Sequence, residues 1–166
     1  MKLIIHTDGG SRGNPGPSAI GVTISVAIGA TIEKQKSAKK LLHSTHDRGK
    51  NVTIQNHKEY AEAIGETTNN IAEYSAVILA LTKVKKLIGK EKSKDAEIEI
   101  KSDSELMVNQ LNGTYKIKNP EIEKLFIKVW NKKQNFKHVT FIHIPREKNK
   151  RADALVNQVL NKQKLL

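Results

Sequence analysis

Four acidic residues stand where the sequence pattern predicts that strands end or helices begin. Asp8 follows the first apolar run of the chain, and Asp103 follows a later run of alternating apolar and polar residues. Glu73 and Asp153 fall in the first turns of two predicted helices. If the two strands are parallel neighbours, Asp8 and Asp103 meet at adjacent carboxyl edges, and the helix starts bring Glu73 and Asp153 across that edge.

Carboxylates packed together in this way repel one another unless a cation lies between them. Oxygen ligands that leave room for water select Mg²⁺ or Mn²⁺, and two such ions about 4 Å apart suit phosphodiester hydrolysis. Taken singly, Asp8 has an ordinary explanation as a turn former, Asp103 as a helix N-cap, and Glu73 and Asp153 as partners of helix dipoles. Their joint placement, beside glycine- and asparagine-rich segments, favours a metal site.

The composition points to a polyanionic partner. The 166 residues include 29 basic and 17 acidic side chains, a formal charge of +12, and no cysteine. Such a field gathers nucleic acid, although excess lysine can also serve solubility alone. The absence of cysteine excludes disulfides, thiol nucleophiles and cysteine-based zinc sites. Without a signal peptide or an apolar run of about 18 residues, we expect a soluble, cytoplasmic, monomeric protein with no membrane partner.

Hydrophobic periodicity predicts a mixed α/β domain. The predicted strands are 2–7, 18–30, 53–65, 96–102 and 138–144, and the predicted helices are 70–88, 104–111, one that opens at Asn119-Pro120, and 149–160. This order describes a mixed sheet with crossover helices, and we expect a single domain over residues 1–166.

Several segments between these elements carry their own expectations. Residues 8–17 are typical of a glycine-rich loop, and residues 90–95 of a charged connection. No pattern places the basic segment around residues 31–57, apart from its overlap with the third predicted strand. Trp130 belongs to the apolar stripe of its helix, and we expect it in the core.

Four blocks of sequence occur in order: TDGGSRGNPGPSAIG, TNNIAEYSAVILAL, SDSELMVNQLNGTYKIKNP and PREKNKRADALVNQ. Together they resemble the type 1 ribonuclease H family, and about residues 30–58 stay unmatched. The resemblance implies a ribonuclease H-like fold, with a mixed five-stranded sheet and helices on both faces. It also implies an endonuclease that hydrolyses the RNA strand of RNA/DNA hybrids with two Mg²⁺ ions, which Mn²⁺ can replace, and leaves 5′-phosphate and 3′-hydroxyl ends. Asp8, Glu73, Asp103 and Asp153 match the family's catalytic and metal-binding carboxylates.

The family's contacts with the hybrid carry over where the blocks match. They are the backbone of Gly9 and the side chains of Asn14, Thr68, Asn69 and Asn70. Asparagine can hydrogen-bond both base edges and sugar hydroxyls, and the 2′-hydroxyl distinguishes RNA from DNA. Helix capping is the alternative role for Asn69 and Asn70.

The chain departs from many family members in two places. The loop that often carries a mobile histidine is compact here, as in archaeal and some bacterial members, so Arg146 is the expected phosphate or product contact. We expect His143, ten residues before Asp153, to be a strand residue instead. The basic protrusion of some bacterial relatives is absent, which makes Lys116 and Lys118 expected phosphate contacts. Further candidates lie in the unmatched segment: Lys34, Lys36, Lys39, Lys40, Arg48 and Lys50.

Two other functions stay open at this point. A nuclease of the same fold could act on double-stranded RNA or structured DNA, because the same metal site serves several nucleases. A non-catalytic module could bind hybrids without cutting them. The complete set of four acids argues against that module, since binding alone would not maintain a repulsive cluster.

Overall fold

A mixed five-stranded sheet forms the centre of the molecule in the computed structural model, which describes residues 1–28 and 53–163. The strands are β1 (Lys2–Ser11), β2 (Gly16–Ile28), β3 (Thr53–Thr67), β4 (Glu97–Ser102) and β5 (His138–His143). The helices are α1 (Asn69–Ile88), α2 (Lys90–Lys94), α3 (Glu105–Leu111), α4 (Pro120–Lys133) and α5 (Lys150–Gln163). The strand order is β3-β2-β1-β4-β5, in which β1 pairs antiparallel with β2 and parallel with β4.

The predicted architecture is confirmed: every predicted strand and helix is present, and α1 and α5 pack against the sheet. The apolar face of α1 is buried as its periodicity predicts. Residues 53–57, where the basic segment overlaps the third predicted strand, do belong to β3. The six basic residues named in that segment lie outside the described residues. None of the helices in the described part of the chain is both long and apolar enough to cross a membrane.

The first strand extends further than the pattern predicts. β1 continues through Gly9 and Gly10 and pairs with β2 as far as Ser11, opposite Ser18, so the predicted loop at 8–17 is reduced to the turn at 12–15. The ladder with β2 uses backbone groups alone, which is why residues without a strand-like side-chain pattern can join it. β4 pairs with β1 only up to His6. Asp8 therefore lies inside a strand, just beyond the edge that β1 shares with β4.

The charged connection at 90–95 takes a form that its pattern did not specify, because Lys90–Lys94 form the short helix α2. Lysine and glutamate have good helix propensity, and this stretch has no residue that would break a helix. The hydroxyl of Ser93, which is buried, donates to the carbonyl of Gly89 at 2.7 Å.

The prediction that Trp130 lies in the core is also wrong, since its side chain is 51% exposed. α4 turns Ile122 and Val129 into the core instead. α4 packs against α1, and neighbouring residues of a helix point about 100° apart, so Val129 and Trp130 cannot both face α1 squarely. The Trp130 ring lies beneath the Lys133 ammonium, which is 5.2 Å from the ring centroid.

Two glycines allow helices to approach the sheet closely from opposite faces. A Cβ atom on Gly9 would lie 2.2 Å from the backbone carbon of Ala72 in α1, and one on Gly21 would lie 2.4 Å from the carbonyl oxygen of Ala152 in α5. Backbone atoms at these distances cannot move aside without displacing the helix. Each helix therefore reaches the sheet immediately before one of its acidic residues, which follow Ala72 and Ala152.

Gly21→Ala is expected to lower the free energy of unfolding by about 2 kcal/mol or more, because the new methyl group would force α5 away from β2. The measurement is urea denaturation followed by circular dichroism. Gly10→Ala is the matched control, since its nearest neighbours are side-chain atoms, with Val156 Cγ1 at 3.0 Å and Leu160 Cδ1 at 4.0 Å. That side chain can shift, so the control should lose clearly less stability. Equal losses in the two variants would show that the approach of α5 does not depend on Gly21.

Candidate active site

Three of the four predicted acids converge at one edge of the sheet. Asp8, Glu73 and Asp103 each offer a carboxylate oxygen, and these three oxygens all lie within 4.8 Å of one another. The parallel pairing of β1 with β4 places Asp8 beside Asp103, as the sequence predicts. The close approach of α1 to Gly9 places Glu73 above them.

The three acids line an open cleft at this edge of the sheet. The fourth acid, Asp153, lines the same cleft but lies outside this group of three. Its Oδ1 atom is 3.0 Å from Nη2 of Arg146, and its Oδ2 atom accepts a hydrogen bond of 3.0 Å from Asn157. The cleft therefore holds all four acids, with Asp153 engaged by a cation from the loop before α5.

The ordinary structural explanations fail for three of the acids. Asp8 pairs with Gly21 inside the β1–β2 ladder and forms no turn. Glu73 is the fifth residue of α1, so the prediction that it lies in the first turn is wrong. At that position the helix dipole stabilises a negative charge only weakly. Asp103 is not an N-cap, because the Ser104 hydroxyl accepts from the first turn of α3. Asp153 does lie in the first turn of α5, as predicted.

Burial and mutual repulsion raise the pKa values of two acids of the cluster, Asp8 and Glu73. Burial first, and then the charges of Asp103 and Asp153, raise the pKa of Asp8 from 3.8 to about 7. Burial, followed by the charges of Asp8 and Asp103, raises the pKa of Glu73 well above its usual value. The cluster without a cation therefore holds protons near neutral pH.

The residues present fit a divalent cation. The ligands are all hard carboxylate oxygens, as Mg²⁺, Mn²⁺ and Ca²⁺ prefer. The Oε2 atom of Glu73 is buried without a hydrogen-bond partner among the described residues. A buried polar atom of that kind is costly unless something binds it, and a cation held by the three acids would do so.

The predicted contacts near the start of α1 form a hydrogen-bonded network. Thr68 is the N-cap, and its hydroxyl accepts from Ile71 N–H, so the alternative role of Asn69 and Asn70 as the cap of α1 is filled by Thr68. Asn69 Oδ1 accepts from Ser11 N–H at 2.7 Å, and Asn14 Oδ1 accepts from Asn69 N–H at 3.1 Å. The two asparagines thus tie the turn after β1 to the start of α1.

The structure brings only some of the other predicted contacts to the acids. Asn70 and Arg146 line the cleft, together with Gly9 and Asn69. Lys116 and Lys118 are exposed in the loop before α4 and do not line it. His143 ends β5 and is exposed, so its prediction as a strand residue is confirmed.

Sequence reasoning missed two residues at this site. Asn149 is buried, and its Nδ2 atom donates to Asp103 Oδ1 at 2.6 Å. Arg12 lines the cleft and donates to the carbonyl of Leu160 at 3.0 Å. The only signal for Asn149 was its position as the first residue of the predicted helix 149–160, which indicates a cap rather than a contact with the site.

Comparisons with known proteins agree with this geometry. The family described as "Reverse transcriptase-like" matches residues 55–159. A ribonuclease H of Clostridium botulinum is 30% identical, over 96% of this chain and 96% of that protein. A bifunctional protein of Mycobacterium tuberculosis is 30% identical over 97% of this chain, which spans only 36% of that relative's length. The solved structure of LC11-RNase H1 in complex with an RNA/DNA hybrid is 41% identical, with a TM-score of 0.74 over 97% of this chain and 98% of that one.

The strand order, the acids at the sheet edge and the match to solved structures define a ribonuclease H-like domain. The chain belongs to the type 1 ribonuclease H family.

Asp8→Asn is expected to stabilise the metal-free protein more strongly as the pH rises from about 4 to about 7. Wild-type Asp8 keeps its proton in the folded state up to a pKa of about 7, against an ordinary value of 3.8, so ionisation costs folding free energy through that window. The gain levels off above the window, at up to about 4 kcal/mol, since each pKa unit corresponds to about 1.4 kcal/mol. Chemical denaturation in chelator at several pH values measures it.

The matched control for this experiment is Asp95→Asn, at an exposed acid at the end of α2. That variant should track wild type across the whole pH range. A difference between Asp8→Asn and wild type that does not change with pH would contradict the burial argument.

Proposed function

We propose that this chain is an endonuclease that hydrolyses the RNA strand of RNA/DNA hybrids and leaves 5′-phosphate and 3′-hydroxyl ends. The observation that carries the proposal is the cluster of Asp8, Glu73 and Asp103 at the sheet edge of a type 1 ribonuclease H. The hybrid bound to LC11-RNase H1 supports the substrate class.

The proposed cofactor is a pair of Mg²⁺ ions, which Mn²⁺ can replace, held by the three clustered acids and Asp153. Such ions, when bound, activate the attacking water and stabilise the leaving oxygen. Metal binding requires ionised carboxylates, so the protons that the raised pKa values of Asp8 and Glu73 retain must leave when the ions bind. Asp153 must also leave Arg146. That separation costs little, because the Arg146 side chain is 78% exposed.

The substrate contacts follow from the same cleft. We infer that Asn69, Asn70 and the backbone of Gly9 face the base edges and 2′-hydroxyls of the minor groove, since all three line the cleft beside the acids. Thr68 accepts a hydrogen bond as N-cap, which leaves its hydroxyl proton free for a phosphate oxygen. Asn14 holds the start of α1 in place through Asn69, so its contribution includes orienting that surface.

Phosphate contacts complete the proposed binding surface. Arg146 lies in the cleft and, once separated from Asp153, presents a planar cation to the substrate backbone. Lys116 and Lys118 lie outside the cleft, where the flank of a bound duplex would approach. In this proposal the described residues act as one catalytic domain, as a monomer in the cytoplasm.

The direct test is cleavage of an end-labelled RNA/DNA hybrid, beside double-stranded RNA and double-stranded DNA of the same sequence. The reactions contain Mg²⁺, Mn²⁺ or chelator. We expect metal-dependent cutting of the RNA strand of the hybrid alone. Cutting of double-stranded RNA at a similar rate would favour the broader nuclease, and binding without cutting in either metal would favour a non-catalytic module.

Glu73→Gln is expected to lower kcat by about 100-fold or more, because it removes a charged ligand from a water-poor site while it preserves the side chain's shape. Single-turnover cleavage of the hybrid measures the loss. Glu62→Gln is the control, since Glu62 is an exposed partner of Lys83 in an ion pair of 3.2 Å. Activity in Glu73→Gln close to that of the control would remove Glu73 from the catalytic set.

Lys116→Ala is expected to weaken hybrid binding equally for different sequences and to reduce the slope of log K against log salt by about 1. A phosphate contact releases a counterion and reads no base, which explains both effects. The measurement is fluorescence anisotropy with a labelled hybrid and chelator over a range of salt. Lys128→Ala, at an exposed lysine of α4, is the control. An unchanged slope in Lys116→Ala would exclude Lys116 as a contact.

A further inference from the structure

Asn149 occupies the point where the chain enters α5, beneath the four acids. Its side chain is buried, with 1% of the residue exposed. Its carbonyl accepts the N–H of Asp153 at 3.1 Å, which is the first backbone hydrogen bond of α5 and marks Asn149 as the N-cap position. The start of α5, and with it Asp153, therefore depends on where Asn149 is held.

The Asn149 side chain does not do what an N-cap asparagine ordinarily does. At α1 and α4 the side-chain oxygens of Thr68 and Asn119 accept N–H groups of the first turn. Asn149 Oδ1, by contrast, has no hydrogen-bond partner within the described residues. Its Nδ2 atom turns toward the sheet and donates to the Thr7 carbonyl at 3.0 Å and to Asp103 Oδ1 at 2.6 Å. Both partners are acceptors, so the orientation of the amide is determined.

These two donated bonds connect the acids from the buried side of the cluster. The bond to Asp103 is short and charge-assisted, and it selects one direction for that carboxylate. The bond to Thr7 holds the peptide that precedes Asp8. With the helix bond to Asp153, one side chain and its backbone link three of the four acids across β1, β4 and α5.

A purely structural role explains this arrangement poorly. A buried amide with an unpartnered oxygen costs stability, and an N-cap that used its side chain on the helix would be more stable. The cost is offset if the amide's task is to orient Asp103. Partners of this kind, one shell outside a metal, commonly set the geometry of the ligands themselves.

We propose that Asn149 is a positioning residue of the metal site, which holds Asp103 in its ligating direction and ties it to β1 and to the start of α5. The inference rests on the proposed function, because it takes Asp103 to be a metal ligand. It adds a residue that contacts neither the metal nor the substrate.

The experiment is calorimetric titration of the folded protein with Mn²⁺ and with Mg²⁺, beside hybrid cleavage as a function of metal concentration. Asn149→Ala is expected to weaken metal binding about 10- to 100-fold and to shift the metal dependence of cleavage by a similar factor. Asn149→Ser provides a hydroxyl that caps α5 but is too short to hold Asp103 and Thr7 together. It should recover melting temperature without recovering metal affinity.

Asn119→Ala is the matched control, because it removes an N-cap asparagine of α4 whose side chain, among the residues that the structure describes, bonds within that helix start alone. It should lose stability and keep its metal affinity. Metal affinity in a folded Asn149→Ala or Asn149→Ser equal to that of wild type would overturn the positioning role.

The two proposals fail in different ways in this experiment. A wild-type protein that binds the metals but leaves the hybrid uncut contradicts the proposed function, while weaker metal binding in the Asn149 variants still supports the positioning role. A wild-type protein that cuts the hybrid, with Asn149 variants of unchanged metal dependence, supports the function and overturns the inference. A wild-type protein that binds neither metal overturns both.

Discussion

Repulsion between carboxylates that are packed together and shielded from water is the constraint on which this structure depends. Asp8 is only 7% exposed, and one of its carboxylate oxygens lies within 4.8 Å of an oxygen of Asp103 and of Glu73. The protein cannot relieve that repulsion by moving the acids apart, because each lies on a different element of a rigid sheet–helix framework. Protons relieve it in part, as the raised pKa of Asp8 indicates, and divalent cations bound between the carboxylates would relieve it further.

The framework that enforces the cluster is built from close approaches of backbone to backbone. Gly9 admits α1 to one face of the sheet and Gly21 admits α5 to the other, each at the residue before an acid. The parallel β1–β4 pair supplies the other two acids at adjacent positions. Open α/β sheets usually bind ligands at this carboxyl edge, and here the edge is closed from above and below by two helix starts.

Two side chains contact acids of the site, Arg146 from the exposed side and Asn149 from the buried side. On the exposed side, Arg146 pairs with Asp153 and leaves it outside the group of three acids. On the buried side, the Asn149 amide donates to Asp103 and is shielded from solvent. An exposed ion pair contributes little stability, so under the proposed function Asp153 can separate from Arg146 to bind metal, while the buried Asn149 amide keeps Asp103 in place. That division supports an enzyme more than a passive binding module.

The sequence by itself determined the fold class and most of the elements, because strand and helix periods and helix boundaries are local properties of the chain. It also singled out four acids, which the structure places along one cleft. It could not determine that β1 runs on to Ser11, since pairing through the backbone leaves no side-chain pattern. The exposure of Trp130 was likewise decided by which side of α4 packs against α1. Only the tertiary structure revealed that Thr68 caps α1 and that Asn149 turns away from α5 toward Asp103. An asparagine before a helix has the same local signal in both roles, and only partners more than forty residues away in the chain select between them.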